Sequence, residues 1–408
     1  MGLRHSHACC NPAMRAPDPP TPPSLSVRAL PRALWRALLA TLLLWGLTGC
    51  SHLGYYWQSV SGHVQLMRAA RPIPDWLADP ATPPLLKTRL ASAQALRDYA
   101  VRQLGLPDNA SYHRYADLHR SAVIWNVTAA PPDALTLHTW CFPVTGCIGY
   151  RGYFDVQAAR TEASGLREQG LETHVYGVPA YSTLGWLNWV GGDPLLNTFI
   201  HYPEGELARL IFHELAHQVV YLNGDTSFNE SFATAVELIG VRQWLAQAAS
   251  PAARQAYAQS EALRLGFRDL TRATRARLEA VYAQARKPDS APGDLAQRKA
   301  EVMADFRRQY AALRSQWQID PTRQAGYDQW VANANNAAFG ALAAYDALVP
   351  GFEALYEQQR ARQPEQAWPL FYEAVRQLAR LPEAERLRRL QPPAPVSSAG
   401  PSTPSAGD

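Results

Sequence analysis

Hydrophobic positions recur at helical spacing over most of the chain, and one central segment breaks that pattern. Between residues 60 and 104 apolar side chains return every three or four positions, with prolines between the runs. This predicts helices joined by a proline-rich turn. From Gly205 onward the spacing is helical almost throughout, which predicts a helical C-terminal half.

The central segment, residues 110–178, consists of short aromatic or β-branched runs bounded by glycine, proline and aspartate, which predict strands. The runs are Ala122–Val127, Leu135–Cys141, Cys147–Phe154 and His174–Tyr176. A helix is expected near Ala158–Gln169. We therefore expect an α+β fold, mostly helical, in which a small mixed sheet precedes the helical C-terminal half.

The composition supports one sizeable folded domain between two processed or disordered ends. The chain has 408 residues, of which 47% are hydrophobic and 18% charged. We divide it into a signal peptide (1–49), a folded domain (50–390) and a disordered tail (391–408) rich in proline, serine and glycine. The domain parts are a helical part (51–109), a sheet part (110–200) and a second helical part (201–390).

The first residues have the pattern of an export signal. Three arginines at positions 28, 32 and 36 precede an apolar run of 12 residues, Ala37–Thr48. A run of that length is too short to cross a bilayer, which needs about 20 helical residues, but it fits the apolar region of a signal peptide.

The run ends in Leu47-Thr48-Gly49-Cys50, which resembles the lipobox of bacterial lipoproteins. The resemblance implies cleavage before Cys50, a lipid on its thiol, and attachment of the mature chain to a membrane of the bacterial cell envelope, facing the periplasm. Ser51 rather than aspartate follows the cysteine, so by the same resemblance the outer membrane is expected.

Charge and motifs exclude several classes of function. Of the 39 basic and 35 acidic side chains, five basic ones and Asp18 lie in residues 1–49, which leaves 34 of each in the remainder. A neutral body lacks the concentrated positive charge that a phosphate backbone requires, so nucleic acid is not expected as a partner. The chain also has no glycine-rich phosphate loop and no serine-hydrolase elbow.

Cys141 and Cys147 are the only cysteines left in the mature chain beside Cys50. They flank a turn-forming insert, Phe-Pro-Val-Thr-Gly, that can bring their Cβ atoms within bridging range. We expect a local disulfide, as in other exported proteins. The alternatives are two buried thiols or a metal site, for which His138 is the only further ligand close by.

The segment that carries chemistry is His213-Glu214-Leu215-Ala216-His217, a His-Glu-x-x-His motif on a stretch of helical spacing that we expect to end at Asn223-Gly224. Residues four apart lie on one face of a helix, so both imidazoles can bind one zinc ion. Glu214 would then act as general base toward water that the zinc activates. The alternative is an ordinary buried helix with Glu214 in solvent.

Two glutamates compete for the position of third ligand. Glu230 and Glu237 follow His217 by 13 and 20 residues and lie seven apart on the next predicted helix. Glu230 also has a purely structural interpretation, because Ser227-Phe228-Asn229-Glu230 fits a capping box.

Around these residues the chain resembles the gluzincin metallopeptidases, which implies a zincin core. In gluzincin aminopeptidases the third ligand is the glutamate of an Asn-Glu pair, supported by another glutamate seven residues on. That pattern makes Glu230 the ligand and Glu237 its support. The connection after His217 is shorter here than in well-known gluzincins, and by spacing alone Glu237 would fit.

Longer phrases resemble a zinc aminopeptidase family of Gram-negative lipoproteins, over roughly residues 54–355. They are Trp140-Cys141-Phe142-Pro143, Tyr150-Arg151-Gly152-Tyr153-Phe154, Ala180–Trp186 and Phe228–Ala233. The resemblance implies a zinc-dependent hydrolase of peptides, and the name of the family alone favours an aminopeptidase over an endopeptidase. The loop Leu187–Gly192 is longer here than in that family, so the resemblance does not extend to the contacts of this loop.

The gluzincin plan also implies substrate-binding residues. The strand that would hold the peptide backbone corresponds to Val178–Trp186, which includes Ser182 and Thr183. A phenol that stabilises the oxyanion is expected, and the candidates are Tyr181, Tyr202 and Tyr345.

Taken together, these patterns predict a lipid-anchored zinc metallopeptidase that acts on peptides or proteins. A zinc-stabilised scaffold or peptide-binding lipoprotein without hydrolytic activity is the main alternative. A membrane-remodelling protein built on the helical C-terminal half has only composition in its favour.

Overall fold

The computed structural model describes residues 54–142, 146–180, 182–183, 191–287, 294–346 and 348–391. The predicted signal peptide, Cys50, Ser51 and the predicted tail from Pro392 lie outside the described residues, as do Tyr181 and the side chain of Tyr345. By packing, the chain divides into two units, Met1–Tyr56 and Trp57–Asp408.

Helices account for most of the described chain, as predicted. Helix α1 spans residues 54–69. The others are α2 (Ile73–Ala78), α3 (Pro84–Leu104), α4 (Val156–Glu168), α5 (Glu204–Ala216), α6 (Thr226–Gln247), α7 (Pro251–Ala285), α8 (Asp294–Arg314), α9 (Pro321–Ala332), α10 (Asn336–Asp346), α11 (Val349–Arg362), α12 (Ala367–Ala379) and α13 (Glu383–Leu390). None of the helices in the described part of the chain is both long and apolar enough to serve as a membrane span.

The strands of the described residues form three small sheets, where the sequence led us to expect one. The strands are β1 (Arg71–Pro72), β2 (Arg114–Ala116), β3 (Ile124–Ala130), β4 (Trp140–Phe142), β5 (Gly146–Ile148), β6 (Arg151–Tyr153), β7 (Glu172–Val178) and β8 (Leu195–Leu196). One sheet has the order β1-β2-β8 and is mixed, another is the antiparallel β6-β3-β7, and β4 pairs with β5 alone. The alternation of side chains identifies extended segments but not the strands with which they pair. The prediction of a single sheet was therefore wrong.

The hairpin β4–β5 shows why one predicted strand was too long. A disulfide joins Cys141 to Cys147, which face each other across this hairpin. The predicted strand at Leu135–Cys141 begins only at Trp140, and the residues before it have no regular structure. In that stretch the His138 amide donates to the Ala129 carbonyl, so the chain runs beside β3 without forming a ladder.

The antiparallel sheet has one face on α4 and the other toward α10. Thr128 on β3 donates its hydroxyl to a carbonyl of α10, and Asn126 lies on the same face because strand side chains alternate. Asn126 and Thr128 pair in register with Tyr176 and His174 of β7. The Tyr176 ring therefore points to the side of the sheet where the helical half lies.

Helix α6 lies in the middle of the main core. It packs on α3, α5, α10 and α11, and its residues Phe228–Glu237 are all buried. Gly240 permits this close packing, because a Cβ there would lie 2.7 Å from Cδ1 of Leu104 and 3.0 Å from Cδ2 of Phe212. A second hydrophobic cluster, which includes Leu278, Phe306 and Phe339, holds α7, α8 and α10 together. Any polar side chain on the buried stretch of α6 thus needs a partner from a neighbouring helix.

Candidate metal centre

The His-Glu-x-x-His motif lies on the last turn of α5. The helix begins after Pro203, and Glu204 and Glu206 in its first turn complement the positive end of the helix dipole. It ends at Ala216, several residues before the predicted end at Asn223-Gly224. His217 is the C-cap residue and keeps right-handed helical backbone angles, so it still lies one turn beyond His213.

Tertiary contacts explain why the helix stops early. The side chain of Asn229, on α6, accepts a hydrogen bond from the amide of Leu222 and donates one to its carbonyl, both at 2.7 Å. These two bonds satisfy the amide and the carbonyl of Leu222, so the connecting segment does not need helical hydrogen bonds there. The segment therefore leads directly from His217 to α6 and keeps the two helices adjacent.

Three side chains converge at the junction of α5 and α6. Nε2 of His217 lies 3.1 Å from Nε2 of His213, and Oε2 of Glu230 lies 3.3 Å from the His213 nitrogen and 3.7 Å from the His217 nitrogen. In a tetrahedral site with metal–ligand bonds of about 2.0 to 2.1 Å, donor atoms are about 3.3 to 3.4 Å apart. The three residues fit this spacing, and the group can hold a metal ion.

Glu237 lies on the other side of the His213 ring. Its Oε2 is 3.1 Å from Nδ1 of His213, and its other oxygen pairs with Arg209. Because an ionised carboxylate only accepts hydrogen bonds, Nδ1 carries the proton and Nε2 is free to bind a metal. Burial raises the pKa of Glu237, but Arg209 and His213 outweigh it and lower that pKa to about 2. Glu237 therefore remains ionised and fixes the orientation of the His213 ring.

The pKa values of His213, His217 and Glu230 depend on one another's charges. Burial lowers the pKa of His213, but Glu230 and Glu237 outweigh it and hold that pKa well above its ordinary value. Burial lowers the pKa of His217 to about 4. Burial also raises the pKa of Glu230, yet the two histidines outweigh it and lower that pKa. These surroundings therefore keep Glu230 ionised beside a positively charged His213. A bound metal cation would supply the same kind of positive charge.

The structure contradicts the capping interpretation of Glu230. The N-cap of α6 is Asp225, whose side chain accepts a hydrogen bond of 2.9 Å from the amide of Phe228. Asp225 is further held by Arg386. The start of α6 is therefore capped without Ser227 or Glu230, and the Glu230 carboxylate is directed toward the histidines.

Glu214, between the two histidines in sequence, lies beside several further polar groups. Burial, together with the negative charges of Glu230 and Asp193, raises the pKa of Glu214 to about 7, although His213 opposes the shift. Its charge also acts on the hydroxyl groups of Tyr112 and Tyr150. A carboxyl group with a pKa near neutrality can both accept and release a proton under physiological conditions.

The predicted substrate strand at Val178–Trp186 is only partly a strand. β7 ends at Val178, and the described residues that follow, including Ser182 and Thr183, have no regular secondary structure. The amide of Thr183 donates to both carboxylate oxygens of Asp193 at 3.1 Å. This buried aspartate holds the segment off the sheet, which local sequence pattern does not reveal. Among the described strands β7 pairs only with β3, so its other edge has no partner strand.

Tyr202 is the only predicted tyrosine whose side chain the structure describes, and it is not among the described tyrosines near the three candidate metal ligands. Tyr202 is partly exposed, and the charges that act on it are those of Glu206 and Arg323. Tyr150, Tyr176 and Tyr221 all experience the charge of Glu230 instead. The sequence offered one signal, since Tyr221 follows His217 by four residues. Tyr150 and Tyr176 reach the site through the sheet, which spacing cannot predict.

A family model with the description "Putative aminopeptidase" matches residues 54–390. No curated protein and no protein of known structure matches the chain. The match covers every helix and strand described above, including the junction of α5 and α6.

Removal of each α6 carboxylate should affect metal binding differently. We expect Glu230→Gln to abolish stoichiometric zinc binding, because one of three donor atoms is weakened. Glu237→Gln should retain zinc with about 10- to 100-fold lower affinity, since only ring orientation is lost. Competition titration with a chromogenic chelator measures both. Glu261→Gln, on α7, is the matched control and should leave the affinity unchanged; loss of zinc in Glu237→Gln but not in Glu230→Gln would reverse the assignment.

Proposed function

The chain belongs to the aminopeptidase-like family whose model spans residues 54–390, and on that basis we propose that it is a zinc-dependent peptidase with a gluzincin-like site. The observation that carries this proposal is the convergence of His213, His217 and Glu230 beside Glu214. Family membership supports a peptidase. The zinc, the mechanism and the membrane anchor are proposals from the residues themselves.

The donor set favours zinc. Two imidazole nitrogens and one carboxylate oxygen form a catalytic type of zinc site, in which three protein ligands leave a fourth position open. When bound, zinc supplies Lewis acidity that polarises a peptide carbonyl and lowers the pKa of water. Glu237 and Arg209 support the set, because they hold His213 in the tautomer that binds metal through Nε2.

In this mechanism Glu214 carries the proton. Its carboxylate accepts a proton from the attacking water and returns it to the amine that leaves when the peptide bond breaks. A pKa of about 7, caused mainly by burial, suits both steps. Glu214 follows His213 directly in sequence, and both residues line the same cavity.

Tyr150 is our candidate for stabilising the oxyanion. Its pKa is raised well above the ordinary value by burial and by the charges of Glu230 and Glu214, so the hydroxyl stays protonated and able to donate. Tyr176 lies nearby and its hydroxyl already accepts a weak hydrogen bond from Asn126 at 3.5 Å. The unpaired edge of β7 would hold the substrate backbone by strand addition. We propose cleavage at the amino terminus on the strength of the family alone.

We further propose that a lipid on Cys50 anchors the enzyme to the outer membrane, facing the periplasm. The support is the lipobox-like sequence and Ser51. In a bacterial host supplied with a palmitate analogue, the wild-type chain should be labelled and Cys50→Ala should not. Ser51→Asp should keep the label but fractionate with the inner membrane. Absence of label from the wild type excludes the anchor.

Substitution of the proposed base should separate metal binding from catalysis. Glu214→Gln should keep one zinc per chain and lose about 10²- to 10⁴-fold in kcat/KM, because the general base is removed. His213→Ala should lose both metal and activity. Metal analysis and a peptide-library digest measure the two properties. A wild-type chain with stoichiometric zinc and no cleavage would favour the non-hydrolytic scaffold, and full activity in Glu214→Gln would refute this mechanism.

Substitution of tyrosines tests the oxyanion assignment. Tyr150→Phe should lower kcat about 10²-fold with unchanged zinc content, since one donor to the developing charge is lost. Tyr99→Phe is the matched control, because the Tyr99 hydroxyl on α3 donates to Gln247 away from the site, and it should behave like the wild type. Steady-state kinetics on one peptide substrate is sufficient, and equal effects of the two substitutions would contradict the assignment.

A further inference from the structure

A large cavity adjoins the candidate metal centre. Its volume is about 910 Å³, and its walls come from α5, α6, α7, α9, α10 and α11. His213 and Glu214 form part of the wall. A ligand that extends along the cavity therefore reaches residues that we assign to metal binding and proton transfer.

Near α5 and α6 the charges of this cavity neutralise one another. Arg209 pairs with Glu237 and Glu206. Arg264 of α7 also pairs with Glu206. Arg242 and Glu353 form a separate ion pair of 2.7 Å at the wall formed by α6 and α11. These pairs leave little net charge to attract a ligand.

Farther along α7 the balance changes. Arg268, Arg272 and Arg275 all line the cavity, at intervals of four and three residues that place them on one face of the helix. No carboxylate of α7 beyond Glu261 lines the cavity with them. Arg275 pairs with Glu279, which is not part of the wall. Arg272 is exposed, and no ion pair joins it to another described residue. This section of the wall is therefore positively charged.

We propose that this arginine row binds carboxylates of the substrate, so that the enzyme prefers acidic peptides. The inference rests on the proposed peptidase function and specifies its substrate class. An arginine fork matches a carboxylate geometrically, and a cavity wall of one charge sign concentrates ligands of the opposite sign. The residues of α7 that line the cavity extend from Glu261 to Arg275, a distance of about 21 Å along the helix axis. An extended peptide of about six residues spans that length.

Binding should be measured on full-length, zinc-loaded protein that carries Glu214→Gln, so that no peptide is consumed. The probes are a hexapeptide of four alanines and two glutamates with a free carboxyl end, and its counterpart with two glutamines and an amidated end. Calorimetry should show about tenfold tighter binding of the acidic peptide at low salt. The preference should shrink in 0.5 M sodium chloride, because exposed charges are screened.

Variants of α7 decide whether the arginine row is responsible. Arg272→Gln should reduce the preference about threefold, and Arg272→Glu should reduce it further. Arg277→Gln is the matched control, because Arg277 is exposed on the same helix, pairs with Asp305 of α8 and does not line the cavity. Equal affinity of both peptides for the unsubstituted α7, or equal effects of Arg272→Gln and Arg277→Gln, would overturn the proposal.

The active chain separates this proposal from the proposed function. Hydrolysis of both peptides without charge preference would overturn the arginine row and leave the peptidase intact. Charge-dependent binding without hydrolysis of either peptide by the wild type would support the arginine row and exclude the peptidase.

Discussion

The site depends on how one buried carboxylate is neutralised. Glu237 lies in the fully buried stretch of α6, where an isolated negative charge would cost several kcal/mol. Arg209 and His213, both on α5, compensate that charge. Since these two residues are one turn apart, the compensation also fixes the register of α5 against α6. The same contact that makes the burial tolerable therefore orients the first histidine of the motif.

The surrounding helices make this arrangement compulsory. The buried stretch of α6, Phe228–Glu237, is covered by α3, α5, α10 and α11, so its polar side chains are largely shielded from water. Glu230 and Glu237 are two turns apart on one face, and both meet the His213 ring from opposite sides. Asn229, which precedes Glu230 on α6, hydrogen-bonds the backbone of Leu222 in the segment that follows His217. The core thus supports the site through packing, and the site in turn satisfies the charges of the core.

The two halves of the fold contribute different groups to the same place. The helices supply the metal-ligand group and Glu214, and the cavity wall with its arginine row comes from α7. The sheet region supplies the phenols, because register with β3 turns Tyr176 toward Glu230, and Tyr150 precedes β6. Asp193 holds the segment after β7 beside Tyr112 and Glu214. No described residue of the sheet region contributes to the cavity wall, so the two halves meet around Glu230 and Glu214.

Sequence alone determined the features that depend on neighbours within one element. The spacing of His213 and His217, the helical character of the C-terminal half and the pairing of Cys141 with Cys147 follow from residues a few positions apart. Tertiary structure decided what depends on distance between elements: which side of His213 each α6 glutamate approaches, why α5 stops at Ala216, and why Tyr150 rather than Tyr202 lies near Glu230. Periodicity reports which face a residue occupies, whereas packing sets the partner that this face meets.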